Sequence, residues 1–345
     1  MNAQKPPQIF AARDELNWKI PSSVRKALLK AAGTDISHYR RTDPLAERIA
    51  SDFGVSRKQV FLAQGAEGAI NSIFSAAKNS VLFPEFAYSL YFDIAKARGL
   101  GIETFKVIER SESFYYDVPG IIRQLKESQP SILLLIDPES PLGFSVKSRD
   151  LDAVLESARG CLIAILDQAH EGIRKENVKN VRELLEAHPN LVVVRSFSKL
   201  YGLAAWRIGF AICGEAAGQA ISLPSNRLGY PIIPQEIAIA ALDAKEGYQK
   251  IAQQAREQKE RFNSEVGMLG GYKMYQTDHL SCLVRVPEIY AKELMRLADS
   301  RNIAIRDLST YHAGLAHLYR VTVGPRSITD RLIELFRDAA VQAGK

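Results

Sequence analysis

The stretch RSFSKLYGLAAWRIGF, residues 195–210, decides how this chain is read. It begins where the run Leu191-Val192-Val193-Val194 ends, four apolar residues of the kind that fill a buried strand. Lys199 follows the strand closely, where an unpaired ammonium is costly to bury. Ser196 and Ser198 are two apart, so in an extended backbone their hydroxyls point to the same side. Arg207 completes a set of two hydroxyls and a guanidinium, which suits a phosphate dianion. A lysine held away from water loses proton affinity and becomes a nucleophilic amine, fit for a Schiff base with an aldehyde.

Outward from this stretch, short apolar runs alternate with amphipathic segments. The pattern predicts strands over 81–84, 102–108, 131–137, 161–167, 191–196 and 207–213. Helices are predicted between them over 66–77, 87–98, 118–128, 150–158 and 181–187. This repetition implies an α/β fold with a mostly parallel central sheet flanked by helices, whose ligands gather at the carboxyl ends of the strands. From Pro234 the periodicity reads as one long helix, followed by a smaller α+β segment. That segment is predicted to hold strands at 281–286, 303–306 and 318–323, a helix at 287–301 and a last helix from 328. The expected division is a large cofactor-binding domain over 37–245 and a small domain made of 1–36 plus 246–345.

The bulk numbers fit that division. The chain has 345 residues, 46% hydrophobic and 24% charged, enough for two packed cores. Its net charge of +6 is spread along the chain, which favours anionic small molecules over nucleic acid or a membrane surface as partners. Cys161, Cys213 and Cys282 are far apart and mostly in apolar runs, so they read as buried thiols; neither a disulfide framework nor a metal site is expected. The first residues lack an apolar stretch long enough for a signal peptide, and no later segment is long enough to span a bilayer. A cytoplasmic location is the expectation.

Several strand ends carry polar groups. Asp137 closes SILLLID, Asp167 closes CLIAILD, and Gly65 opens GAEGAI after VFLAQ. Singly, each has an ordinary explanation: a carboxylate after a strand is often a turn residue, and a lysine there is usually solvated. Together they describe one chemistry. A carboxylate two strands from an activated lysine is placed to pair with a protonated ring nitrogen, the partner that makes pyridoxal phosphate an electron sink. The helix N-terminus at Ala66 and Glu67 offers backbone N–H groups to its phosphate.

With these residues in view, the chain resembles the fold type I pyridoxal-phosphate enzymes, and among them the histidinol-phosphate aminotransferase-like branch, over nearly its whole length. SFSKLYGLAAWRIG is similar to the family's Ser/Thr-x-Ser-Lys segment with its later arginine. The resemblance implies that Lys199 holds the cofactor covalently. It also implies that Ser196, Ser198 and Arg207, with the N–H groups of Ala66 and Glu67, bind its phosphate, and that Asp167 pairs with its ring nitrogen. FPEFAYSLYF resembles the segment that lays an aromatic ring over the cofactor, which would be Phe86. HYRRTDPLAERIA resembles the stretch whose tyrosine, here Tyr39, reaches the neighbouring subunit's cofactor, implying a homodimer with shared active sites. IAIRDLSTYHAGLAHLYRVTVG resembles the segment with the substrate-carboxylate arginines, implying Arg320 as anchor and Arg306 as helper.

Two positions depart from the family pattern, both beside the cofactor's 3′-oxygen. Ser140, in DPESPLGF, stands where the family usually has asparagine, and His170, in DQAH, stands where it usually has tyrosine. An aminotransferase acting on an amino acid or amino-alcohol phosphate is the first expectation. A decarboxylase or lyase of the threonine-phosphate decarboxylase type is the alternative. A non-catalytic relic fits poorly, because the lysine, aspartate and arginine set is intact.

Overall fold

The computed structural model describes residues 9–39, 42–174, 179–221 and 229–343; of the stretches read above, residues 1–8 and Arg40-Arg41 lie outside these. Seven strands form the central sheet: β1 (Val60–Gln64), β2 (Ser80–Pro84), β3 (Gly101–Phe105), β4 (Ile132–Ile136), β5 (Ile163–Asp167), β6 (Leu191–Ser196) and β7 (Ile208–Cys213). Their spatial order is β1-β7-β6-β5-β4-β2-β3. Neighbours run parallel except at β7, which is antiparallel to both β1 and β6.

The apolar runs make this sheet because both of its faces are covered. Leu133, Leu135, Leu166 and Val193 pack into one core, and Leu134, Ile165, Val192 and Val194 into the core on the opposite face. Alternate residues thus serve alternate faces, and each fully buried side chain contributes about 1.5–3 kcal/mol. The antiparallel β7 also does something for the site. Its first residue lies at the edge where β1, β5 and β6 end, so Arg207, one residue before it, arrives beside Gly65 and Ser196.

The second sheet has four strands, β8 (Lys273–Tyr275), β9 (Ser281–Arg285), β10 (Arg306–Asp307) and β11 (Leu318–Thr322), in the order β8-β9-β11-β10. Helices Glu288–Ser300 and Arg326–Ala343 supply part of its core. Near the N-terminus, Ile9–Phe10 pairs in parallel with Ile303–Ala304, and Ala11 accepts from the Thr322 N–H at 2.8 Å. The chain beyond is therefore led across the carboxyl edge of the large sheet.

Three expected elements differ. The long helix from Pro234 is two, Ile232–Asp243 and Lys245–Gly267, broken at Ala244 where ψ is 28°. The first packs on helix Ser22–Ala31 and on β7, the second on Arg326–Ala343 and the small sheet, and one straight rod cannot serve both. The strand over 102–108 ends at Phe105, because Glu85 accepts the Val107 N–H at 3.0 Å and the chain peels away into a hairpin with Phe114–Tyr116. The strand over 303–306 divides between two sheets, and only its Arg306 end joins β11.

Candidate active site

A cavity of about 410 Å³ opens at the carboxyl edge of the large sheet. Of the residues singled out from sequence, Ala66, Glu67, Ser140, Asp167, His170, Ser196, Ser198, Lys199, Arg207, Arg306 and Arg320 line it. Two do not. Phe86 is half-buried with its ring edge-on to His312 at 5.0 Å, and Tyr88 and Tyr91 from the same segment reach the wall instead. Tyr39 is 78% exposed and borders a separate surface depression with Trp206 and Tyr230.

One end of the cavity is a cup. Gly65 has φ +72, and a Cβ on it would lie 2.7 Å from Arg207 Nη2. A Cβ on Gly209 would lie 2.4 Å from the Gly65 carbonyl carbon, so two glycines let β7 touch the start of helix Gly65–Phe74. Arg207 itself is left-handed, at φ 51, and its Nη2 donates to Glu67 Oε2 at 2.9 Å. The Ser198 N–H donates to Ser196 Oγ at 3.1 Å, folding the chain so that both hydroxyls belong to the same wall.

In the floor, Asp167 is 2% exposed. Its Oδ2 accepts from the Tyr91 hydroxyl at 2.5 Å and its Oδ1 from the Ala169 N–H at 2.9 Å. Burial pushes its carboxyl above the usual range, against these hydrogen bonds and the charge of Lys199. A buried carboxylate with hydroxyl and amide partners has room for a cationic N–H donor. Lys199 Nζ donates to the Arg13 carbonyl at 2.8 Å. Burial, aided by the charge of Arg320 and opposed by Asp14, lowers its proton affinity, the condition for a nucleophilic amine.

The far wall holds the two arginines. Arg306 and Arg320 are directly opposite each other across the antiparallel pair β10 and β11, so their side chains leave the same face. Like charges in that arrangement repel unless an anion lies between them. Arg320 is 4% exposed; its Nη2 donates to the Ala12 carbonyl at 3.0 Å and its Nη1 to Ser140 Oγ at 3.3 Å. The Nε atoms of both are buried without a hydrogen-bond partner.

Sequence reasoning missed the strap over this site. Three consecutive residues each hold one of its groups: Ala12 takes Arg320, Arg13 takes Lys199, and the Asp14 carboxylate meets His170 Nδ1 at 2.6 Å. Arg13 and Glu15 also line the cavity, while Asn17 fastens the strap by donating to the carbonyls of Phe10 at 3.1 Å and Val323 at 3.2 Å. No spacing in ARDELNW announces this; contacts across some 300 residues of chain create it.

The cavity therefore fits a flat, phosphorylated aldehyde cofactor: a phosphate cup, a carboxylate for a ring N–H, an amine of lowered basicity and an anion site beyond. Comparisons with known proteins agree. The sequence model of the family described as aminotransferase class I and II matches residues 12–336. The chain is 31% identical over 334 residues to histidinol-phosphate aminotransferase 2 of Archaeoglobus fulgidus, covering 94% of this chain and 91% of that protein. It is 26% identical to histidinol-phosphate aminotransferase of Chlorobaculum tepidum, covering 84% and 81%. Histidinol-phosphate aminotransferase from Sinorhizobium meliloti, solved with pyridoxal-5′-phosphate, shares the fold at TM-score 0.86 and 20% identity, covering 98% and 92%. L-threonine-O-3-phosphate decarboxylase from Porphyromonas gingivalis also shares it, at TM-score 0.80 and 16% identity, covering 96% and 98%. This chain belongs to the class I and II aminotransferases, in their histidinol-phosphate aminotransferase-like branch, and its cofactor is pyridoxal phosphate.

Proposed function

We propose that this aminotransferase exchanges an amino group between a carboxylate-bearing amino acid and an amino-alcohol phosphate of the histidinol-phosphate kind. The observation that carries this is the opposed pair Arg306 and Arg320, two guanidinium side chains that line the same cavity as Lys199. A guanidinium pair of this kind accepts a carboxylate or a phosphate through parallel N–H donors. The names of the relatives support the phosphate-bearing partner.

The residues divide the work. Ser196, Ser198, Arg207 and the N–H groups of Ala66 and Glu67 hold the cofactor phosphate, with the helix start adding its positive end. Asp167 keeps the ring nitrogen protonated. When bound, the cofactor supplies an electron sink conjugated to the substrate Cα. Lys199 Nζ first anchors the cofactor, then takes the Cα proton and returns it as general base and acid. Arg306 and Arg320 orient the substrate's anionic group, and Ser140 steadies Arg320. Tyr88 and Tyr91 wall the ring side of the cavity.

We also propose a homodimer in which Tyr39 completes the partner's phosphate cup. Its exposure, and its place beside Trp206 and Tyr230 away from its own chain's cavity, support this. Three buried free thiols support a reducing, cytoplasmic setting. Among the described residues, no helix is long and apolar enough to cross a membrane.

The test is a screen of amino acids and amino-alcohol phosphates, followed by product identification. Transfer of the amino group to a keto acid supports the reading. Release of carbon dioxide from a phosphorylated amino acid instead gives the decarboxylase. A borohydride-reducible bond to cofactor that survives in Lys199→Ala would remove the lysine from its role.

A further inference from the structure

Asp14 is the least expected residue at the site. Its carboxylate is fully buried, its backbone is left-handed at φ 60, and it comes from the strap, far in sequence from everything it touches. An aspartate tolerates that conformation better than most residues, but holding it there needs support from the surroundings. The support is visible. Its N–H donates to Thr322 Oγ1 at 3.0 Å, and its Oδ1 accepts from the Ser281 hydroxyl, which in turn meets Thr322 Oγ1 at 2.8 Å. Ser281 and Thr322 are cross-strand partners of β9 and β11, so the small sheet fixes this oxygen. The other oxygen, Oδ2, is left for a single partner, His170 Nδ1 at 2.6 Å.

The protonation of this pair follows from its neighbours. Burial alone would push the Asp14 carboxyl up, but His279, the hydrogen bond and charge of His170, and Lys199 outweigh it and hold it well below the usual range. Burial, with the charges of Lys199 and Arg320, pushes His170 down to about 4 against the pull of Asp14. The groups facing His170 are thus Asp14 from the strap, Lys199, Arg320 from β11 and His279, whose ring centroid is 5.8 Å away. An ionised carboxylate only accepts hydrogen bonds. The His170 proton therefore sits on Nδ1, and in a neutral ring the other nitrogen is bare.

We propose that Asp14 is a positioning residue that locks His170 in the Nδ1–H tautomer, so that its Nε2 faces the cavity as a hydrogen-bond acceptor. Where the resemblance puts a tyrosine hydroxyl, a donor, this chain presents a base. An oxygen of a bound group that meets Nε2 must then carry the proton between them, because two facing lone pairs repel. The part of this inference that concerns the cofactor's oxygen rests on the reading of the site given above. The tautomer does not.

The experiment is nitrogen-15 NMR of histidine-labelled protein, as purified and after removal of the cofactor, with His170 assigned by loss of its signals in His170→Gln. From about pH 6 to about pH 8, the result expected is a protonated Nδ1 and a bare Nε2. A protonated Nε2 over that range overturns the proposal, with no variant required. In Asp14→Asn, the expected result is a mixture of tautomers, as when an orienting carboxylate is neutralised in a catalytic triad. A folded Asp14→Asn protein whose tautomer is unmoved also overturns it. His170→Tyr covers the case in which Asp14→Asn does not fold. Restoring a donor to the cavity is expected to lower the pH midpoint of the cofactor's visible band by about one unit or more. An unmoved midpoint counts against the acceptor role. Absence of any visible band from purified wild-type protein overturns the cofactor reading alone, since the NMR result stands apart from it.

Discussion

The Tyr91 hydroxyl donates to Asp167 Oδ2 at 2.5 Å, in the floor of the site. This bond offsets part of the burial that drives the Asp167 carboxyl toward its neutral form. In Tyr91→Phe, that proton affinity rises further, fewer molecules carry the carboxylate, and pairing with a protonated ring nitrogen weakens. A hydrogen bond to a charged group contributes about 1.5–3 kcal/mol, so cofactor retention is expected to drop about 10- to 100-fold. Equilibrium dialysis of the cofactor measures it, and equal retention by both proteins would show that Tyr91 does not sustain the charge.

Gly209→Ala tests the cup. The new methyl would stand 2.4 Å from the Gly65 carbonyl carbon and 2.7 Å from Ala66 N, both backbone atoms that cannot swing aside. Helix Gly65–Phe74 must shift from β7, at a cost of about 1–3 kcal/mol. The expected outcome is a lowered melting temperature together with loss of cofactor after gel filtration. A variant as stable as wild type and fully loaded would mean that the cup does not depend on this contact.

Arg306→Gln removes one of two like charges placed opposite each other on paired strands. Such repulsion is worth about 0.2–1 kcal/mol, so the ligand-free protein is not expected to lose stability. KM for the carboxylate-bearing substrate should rise about 10-fold or more, while the cofactor's absorbance is unchanged. Steady-state kinetics and a melting curve together decide it. An unaltered KM would place the anion elsewhere.

Glu139 makes a prediction about pH. Its side chain is fully buried, its Oε2 accepts from the Leu142 N–H at 2.7 Å, and its Oε1 has no partner. Burial raises its carboxyl from 4.5 to about 8, against the Leu142 hydrogen bond and the charge of Arg320. Between those values the folded chain keeps a proton that the unfolded chain releases, so this group's stabilisation is complete below about pH 4.5 and is lost as pH rises toward 8. The loss is on the order of a few kcal/mol. Glu139→Gln should flatten that part of the stability–pH curve in urea titrations. Parallel curves for the two proteins would assign the slope to other groups.

Much of the site was legible because it is written in short-range pattern. The apolar runs before Asp167 and Ser196 read as buried strands, and residues that end parallel strands share one edge of the sheet. SFSK was legible as a cluster, but the strand ends at Ser196, and it is the Ser198 N–H folding back to the Ser196 hydroxyl, not strand alternation, that puts both hydroxyls on one wall. Arg207 was harder: the sequence names it, but only the antiparallel direction of β7 brings it back to that edge. In FPEFAYSLYF, Tyr88 and Tyr91 line the cavity and Phe86 packs edge-on to His312, a placement set by the turn after β2.

By itself, the sequence determined the strands of the large sheet and pointed to Lys199 and the two serines beside it, because these depend on patterns close along the chain. Tertiary structure alone decided the rest. The break at Ala244 follows from two packing directions that one helix cannot satisfy. The pairing of Arg306 with Arg320 follows from strand register, which spacing does not fix. The strap is set by hydrogen bonds from residues near position 13 to residues near 320, and local pattern carries no information about contacts of that range. Asp14 on His170 is the clearest case: its role exists only because two sheets, folded apart in sequence, hold one carboxylate between them.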